Sequence, residues 1–325
     1  MAKITYSEAI RQTLRELMHR DDRVLLLGED IGLYDGVFKC TRGLLAEFGK
    51  DRVIDTPISE LSFVGAGVGM ALSGLRPIVE LMFVDFAVLA MDQIVNQAAK
   101  LKYMSGGAVE VPLIVRTNLG TRGGAAAQHS QSLHASFLHY PGLVTVAPSN
   151  PADARGLLLA AYESRQPVLY LENKQLYFLT GEVPERDGLV PLGRSNVVRP
   201  GKDLTIVAAS YSVVQALEAA ALLEKDSIQA EVVDPRTLLP LDYATIAESI
   251  RKTSRVLIVD EGYLSGGFTQ ILAGRIAAES FFDLDAPVTM LAHPDVPIPF
   301  SPALEKPLLN RPETIAAKAR ELVRV

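Results

Sequence analysis

The chain is poor in cysteine: Cys40 is the only one in 325 residues. That excludes an internal disulfide framework and a thiolate metal cluster, and it suits a reducing compartment. No Gly-Lys-Ser/Thr closes a P-loop. The net charge is −6 and no basic stripe interrupts it, which argues against nucleic acid as a partner. Although 48% of residues are hydrophobic and mean hydropathy is +0.19, no apolar run is long and charge-free enough to span a bilayer. The excess apolar surface is therefore expected in subunit contacts, because obligate interfaces resemble cut-open cores. Met1-Ala2-Lys3-Ile4-Thr5 leads straight toward a helix without a signal or transit pattern, so a cytoplasmic location is expected. Internal repeats and low-complexity tracts are also missing.

What is present is an alternation of apolar strand-like runs with helical patterns, which predicts an α/β fold with a largely parallel sheet. Strands are expected at 24–27, 52–55, 77–81, 113–117, 144–147 and 168–172. A helix is predicted to open at Thr5 with Glu8 completing a capping box, and another at Asn150 with Pro151 in the first helical position. From 184 to 202 the pattern dissolves into Pro184, Asp187-Gly188, Pro191, Gly193, Pro200 and Gly201, the composition of a linker. A second α/β unit follows, with strands at 204–209, 230–234 and 256–260. At this length two domains are expected, 1–183 and 203–325 around the linker 184–202.

Gly65, Gly69 and Ser73 recur at four-residue spacing. A dinucleotide loop fails on spacing, since the third glycine it needs is Met70. On a helix the three residues form a shallow face that allows another helix to approach closely, expected at a subunit contact.

Two segments carry acid–base groups, Asp55-Thr56-Pro57-Ile58-Ser59-Glu60 and Gln128-His129-Ser130-Gln131-Ser132. The first puts a carboxylate after a strand-like run. The second puts an imidazole after a glycine-rich loop, Gly120 to Gly124. Alone, Glu60 is a residue complementing a helix N-terminus, and His129 is a loop histidine with no charged neighbour in Ala125-Ala126-Ala127. The chain also lacks Gly-Asp-Gly with a following Asn, a pattern that holds a metal ion and a diphosphate. These segments read as half of a site, the other half lying on another polypeptide.

The chain resembles, end to end, the beta subunit of the thiamine-dependent decarboxylating component of 2-oxo acid dehydrogenase complexes. The motifs that carry the resemblance are Gly28-Glu29-Asp30-Ile31-Gly32, Gly36-Val37-Phe38-Lys39, the Asp55 to Glu60 hexapeptide and Gly74-Leu75-Arg76-Pro77. Asp92-Gln93-Ile94, His129-Ser130-Gln131-Ser132, Pro141-Gly142-Leu143, Asp234-Pro235-Arg236-Thr237-Leu238 and Pro240-Leu241-Asp242 continue it.

The resemblance implies a thiamine diphosphate-binding fold: a pyrimidine-binding domain followed by a transketolase C-terminal-like α/β domain. It implies a catalytic Glu60 at the pyrimidine ring nitrogen, favouring the imino form that removes the thiazolium proton. Phe86 would stack on that ring, with Met82 and Ile58 beside it; core packing is the ordinary fate of such residues. His129 would be the active-site histidine, orienting the 2-oxo acid or donating a proton to lipoyl sulfur. His134 is either a substrate-pocket residue or a helix-surface one, and His139 and Tyr140 are structural. A potassium ion is implied on backbone carbonyls of Leu113, Ala161, Tyr162, Ser164 and Gln166, although Ser164 and Gln166 replace an Asp and an Asn often seen there.

Magnesium would be held by an alpha subunit in an α2β2 heterotetramer. The C-terminal domain would dock the lipoyl acyltransferase, with Asp283 and Asp285 available to a basic module. Pyruvate is the expected substrate, with acetoin and branched-chain 2-oxo acids as alternatives. A non-catalytic scaffold is the reading from another class, and it would predict loss of Glu60 or His129.

Overall fold

The computed structural model describes residues 1–184 and 188–324. Asp187 of the expected linker, together with residues 185 and 186, lies outside the described residues, as does Val325. The chain forms two compact units. The first comprises Met1–Leu119 and Phe137–Leu192; the second joins Gly120–Ser136 to the residues from Gly193 onward.

In the first unit six parallel strands lie in the order Val144–Val146, Val168–Asn173, Ile114–Leu119, Arg76–Glu80, Val24–Gly28, Val53–Asp55. Their near-continuous apolar runs reflect burial on both faces, and Val24–Gly28 and Ile114–Leu119 are buried throughout. The helix Tyr6–Arg20 opens on Thr5, whose hydroxyl accepts the Glu8 N–H at 3.2 Å. The Glu8 carboxylate turns to Arg11 and Gln12 instead of closing the box. Pro151–Ser164 opens as expected on Asn150, whose side chain accepts the Asp153 N–H. Ahead of the first helix the sequence hides a short strand, Ala2–Thr5, which pairs antiparallel with Thr180–Val183.

Within the chain the helix Glu60–Leu72 packs closely at Gly67 and Gly65. A Cβ on Gly67 would stand 2.8 Å from Val79 Cγ2 and one on Gly65 3.1 Å from Gln93 Oε1, whereas Gly69 has open space.

In the second unit the strands run Thr289–His293, Val256–Tyr263, Leu204–Ala208, Ala230–Asp234 in parallel. Asn196–Arg199 adds an antiparallel edge strand, so the segment expected as linker contributes to this sheet. Leu204, Ile206, Val232, Leu257 and Val259 pack against Ala216, Ala220, Ile315 and Ala319 in one core. Asp234-Pro235-Arg236-Thr237 forms a turn, the Asp234 carboxylate accepting the Arg236 N–H at 2.8 Å. No helix among the described residues is long and apolar enough to cross a membrane.

Candidate active site

In a parallel sheet the C-terminal strand ends are where ligands gather, and in the first unit those ends are acidic. Val53–Asp55 runs through Thr56 to Ser59 into the helix that Glu60 begins. Glu60 therefore stands in the first turn, where unpaired N–H groups favour an anion, and it is buried at 6% exposure. Its neighbour Asp55 is fully engaged, accepting the Gly32 and Leu33 N–H groups at 2.6 and 2.9 Å and so holding the loop after Val24–Gly28. That loop carries Glu29, a residue the motifs contain but to which sequence reasoning gave no role. Glu29 is buried, and its Oε1 has no hydrogen-bond partner. Burial, then the charges of Glu60 and Asp30, push its carboxyl pKa up to about 7. The signal was an acidic residue directly after a wholly apolar strand. Its closeness to Glu60 depends on two strands adjoining, which no local pattern reveals.

The segment after Arg76–Glu80, a strand paired with Val24–Gly28, presents a half-buried apolar surface. Asn118 Nδ2 donates to the Met82 carbonyl at 2.5 Å, fixing Met82 in place. Phe86 meets Phe83 edge-on at 6.0 Å, and Phe38 meets Phe83 edge-on at 6.5 Å while stacking on Tyr177 at 4.2 Å. Beneath, buried Arg116 bridges Glu80 at 2.9 Å and Glu172 at 2.6 Å, tying neighbouring strands together. Ile58 is 84% exposed, so this chain alone gives it little to pack against. An aminopyrimidine needs a carboxylate able to meet a ring nitrogen and an apolar face to lie on. Glu60, Met82 and Phe86 are of the kinds that demand calls for: the carboxylate is buried with no side-chain donor among the described residues, and Met82 and Phe86 are half-buried after a strand of the same sheet.

His129 belongs to the second unit. Its loop is closed by the Gly120 N–H donating to the Gln131 carbonyl at 3.1 Å. His134, five residues on, is not the helix-surface residue of the one expectation: it is buried, with Nε2 2.9 Å from Asp260 Oδ2.

The carbonyls assigned to potassium are largely in use. Leu113 accepts the Val168 N–H at 2.9 Å, Ala161 accepts the Ser164 hydroxyl at 2.9 Å, and Tyr162 accepts the Arg76 guanidinium. Arg76 also lies over the Tyr162 ring at 4.3 Å. A bare cation there would share Tyr162's carbonyl with a fixed positive charge. Each carbonyl keeps a second lone pair beyond these bonds, and at Tyr162 the Arg76 guanidinium competes with a cation for it.

Residues 2–180 match the transketolase pyrimidine-binding domain and residues 193–315 the transketolase C-terminal domain. The beta subunit of acetoin:2,6-dichlorophenolindophenol oxidoreductase from Bacillus subtilis is 46% identical, across 98% of this chain and 97% of that one. The 2-oxoisovalerate dehydrogenase beta subunit of the same organism is 44% identical over 99% of both. The pyruvate dehydrogenase E1 component subunit beta of Rickettsia felis is 46% identical over 94% of this chain and 93% of its own. Among solved structures, a split-gene transketolase described as an inactive beta4 tetramer superposes with a TM-score of 0.81 at 25% identity, covering 99% of each chain. With both domain models matched in order and relatives of this identity spanning nearly its whole length, the chain belongs to the transketolase-type family of pyruvate, 2-oxoisovalerate and acetoin dehydrogenase beta subunits.

Proposed function

We propose that this chain is the beta half of a two-chain, thiamine diphosphate-dependent 2-oxo acid dehydrogenase, decarboxylating pyruvate oxidatively and passing the acyl group to a lipoyl group. The observation that carries the reading is Glu60, buried at a helix start at the C-terminal ends of the parallel strands with no side-chain donor among the described residues. Bound thiamine diphosphate supplies a carbon nucleophile and an electron sink for decarboxylation. Glu60 holds a proton at the pyrimidine ring nitrogen, and Phe86, Met82 and Ile58 shape the face on which that ring rests. His129, on its closed loop, orients the 2-oxo acid carboxylate and later donates a proton to the departing lipoyl sulfur.

The diphosphate and magnesium fall to an alpha partner in an α2β2 assembly. Among the described residues no group of three His, Cys, Asp or Glu side chains is arranged to hold a metal. Exposed Leu33, Tyr34, Ile58, Val88 and Leu89 offer apolar area for that partner. For the acyltransferase, Phe281 and Phe282 stand exposed beside Asp283 and Asp285, an apolar and acidic surface suited to a basic module. A cytoplasmic setting agrees with the buried free thiol of Cys40.

Acetoin oxidation is the second reading, favoured by relatives of equal identity. Turnover of pyruvate, acetoin and branched-chain 2-oxo acids by the co-expressed pair separates the three. The pair should be active on pyruvate and bury an interface well above about 2,000 Å². A beta chain that turns over pyruvate alone would sink the proposal.

A further inference from the structure

The second unit's sheet reverses strand order between Leu204–Ala208 and Val256–Tyr263: the chain leaves the first strand for Ala230–Asp234 on one side and returns on the other. At such a switch point α/β sheets ordinarily receive a ligand. Asp260 is the first residue of its strand beyond the last pair, Ala208 with Val259, and it is 3% exposed. Its partner is not a ligand but His134 of the segment Gly120–Ser136, which belongs to the same unit.

The segment reaches that place by alternation. Ser130, Ser132 and His134 are buried while Gln131 and Leu133 are less so, the period-two pattern of an extended chain laid on a surface. Gly262 makes the approach possible: a Cβ there would lie 2.7 Å from Asp260 Oδ2, 3.3 Å from His134 Cε1 and 3.3 Å from the Ser132 carbonyl. The Gly262 N–H donates to the same Asp260 oxygen at 2.9 Å, and Asn310 Nδ2 donates to the Asp260 carbonyl at 2.7 Å. Burial disfavours charge on His134, but the Asp260 carboxylate, its hydrogen bond and the charge of Glu261 outweigh it and raise the imidazole pKa. A second tie holds the front of the loop: buried Glu305 accepts the Thr121 hydroxyl, and the Gly124 N–H at 3.3 Å.

We propose that His134 and Asp260 form a positioning pair, by which the second unit's sheet fixes the loop carrying His129 for acyl transfer. The proposal rests on the functional reading above for the role of His129. The pin itself stands on the buried contact. A conserved-volume core histidine would leave the loop's order and the transfer step untouched when its charge is removed; a positioning residue would not.

The test uses the chain co-expressed with its alpha partner, carrying His134→Leu, His134→Gln or Asp260→Asn. Hydrogen–deuterium exchange of amides 120–133 should accelerate at least about 10-fold in His134→Leu, with helix Tyr211–Glu224 unchanged. Acylation of isolated lipoyl domain should fall by a similar factor, whereas proton exchange at the cofactor's thiazolium carbon stays at the wild-type rate. His134→Gln, which keeps a donor, should recover most of both. In a His129→Ala background, His134→Leu should cost nothing further. Unchanged loop exchange in His134→Leu, or losses that multiply with His129→Ala, would overturn the pair. Should His134→Leu loosen the whole unit, Asp260→Asn decides on the same two readouts. A wild-type pair that acylates no lipoyl domain refutes the functional reading, while the amide protection still judges the pin.

Discussion

The two units end their parallel sheets in opposite ways. In the first, Glu29 feels the charge of Glu60 from the end of the adjoining strand and has no cationic partner among the described residues, and its carboxyl pKa is pushed up to about 7. In the second, Asp260 occupies the corresponding edge and is answered by an imidazole from the chain's own loop. Buried carboxylates left unpaired are costly, so their persistence marks a place built for something the chain lacks. A carboxylate that is already paired marks a place where the structure has been completed. On the function proposed above, the first edge serves cofactor activation and the second serves loop positioning.

The sharpest way to break it is Glu60→Gln, which keeps the shape and removes the charge. Turnover of the reconstituted pair should fall on the order of 100-fold or more, with assembly intact. His129→Ala should lose about 100-fold in acylation of lipoyl domain while cofactor proton exchange persists. Should exchange collapse instead, His129 belongs with Glu60. Glu29→Gln acts on stability. The native carboxyl binds its proton up to about pH 7 against 4.5 for the unperturbed group, so the folded state carries more protons between those values and stability falls as pH rises. Thermal melts of the pair without added cofactor should show that fall flattened in Glu29→Gln; an undiminished slope would mean another group carries it. The smallest effect expected is from potassium. With Arg76 on the Tyr162 carbonyl, exchanging potassium for a bulky organic cation should leave the melting temperature unmoved.

Much of this was legible from sequence because the relevant forces are local. Val24–Gly28 and Val168–Asn173 announce themselves as runs buried on both faces. Thr5 and Asn150 announce helix starts because each caps an N–H three residues on. The edge strand Asn196–Arg199 was invisible: half exposed and flanked by proline and glycine, it has the composition of a linker. Ala2–Thr5 gains its strand character only from a partner near Thr180. The site divides the same way. Glu60 and His129 sit in recognisable segments, but the charge at Glu29 depends on an adjoining strand, and His134 meets a carboxylate 126 residues away. Period and propensity say nothing about such distances.

The most direct test of the account is deuterium exchange at the thiazolium carbon of thiamine diphosphate in three reconstituted pairs: wild type, Glu60→Gln and Asp260→Asn. The account predicts that exchange collapses in Glu60→Gln and proceeds at the wild-type rate in Asp260→Asn. Wild-type exchange in Glu60→Gln, or collapse in Asp260→Asn with the fold preserved, would contradict it.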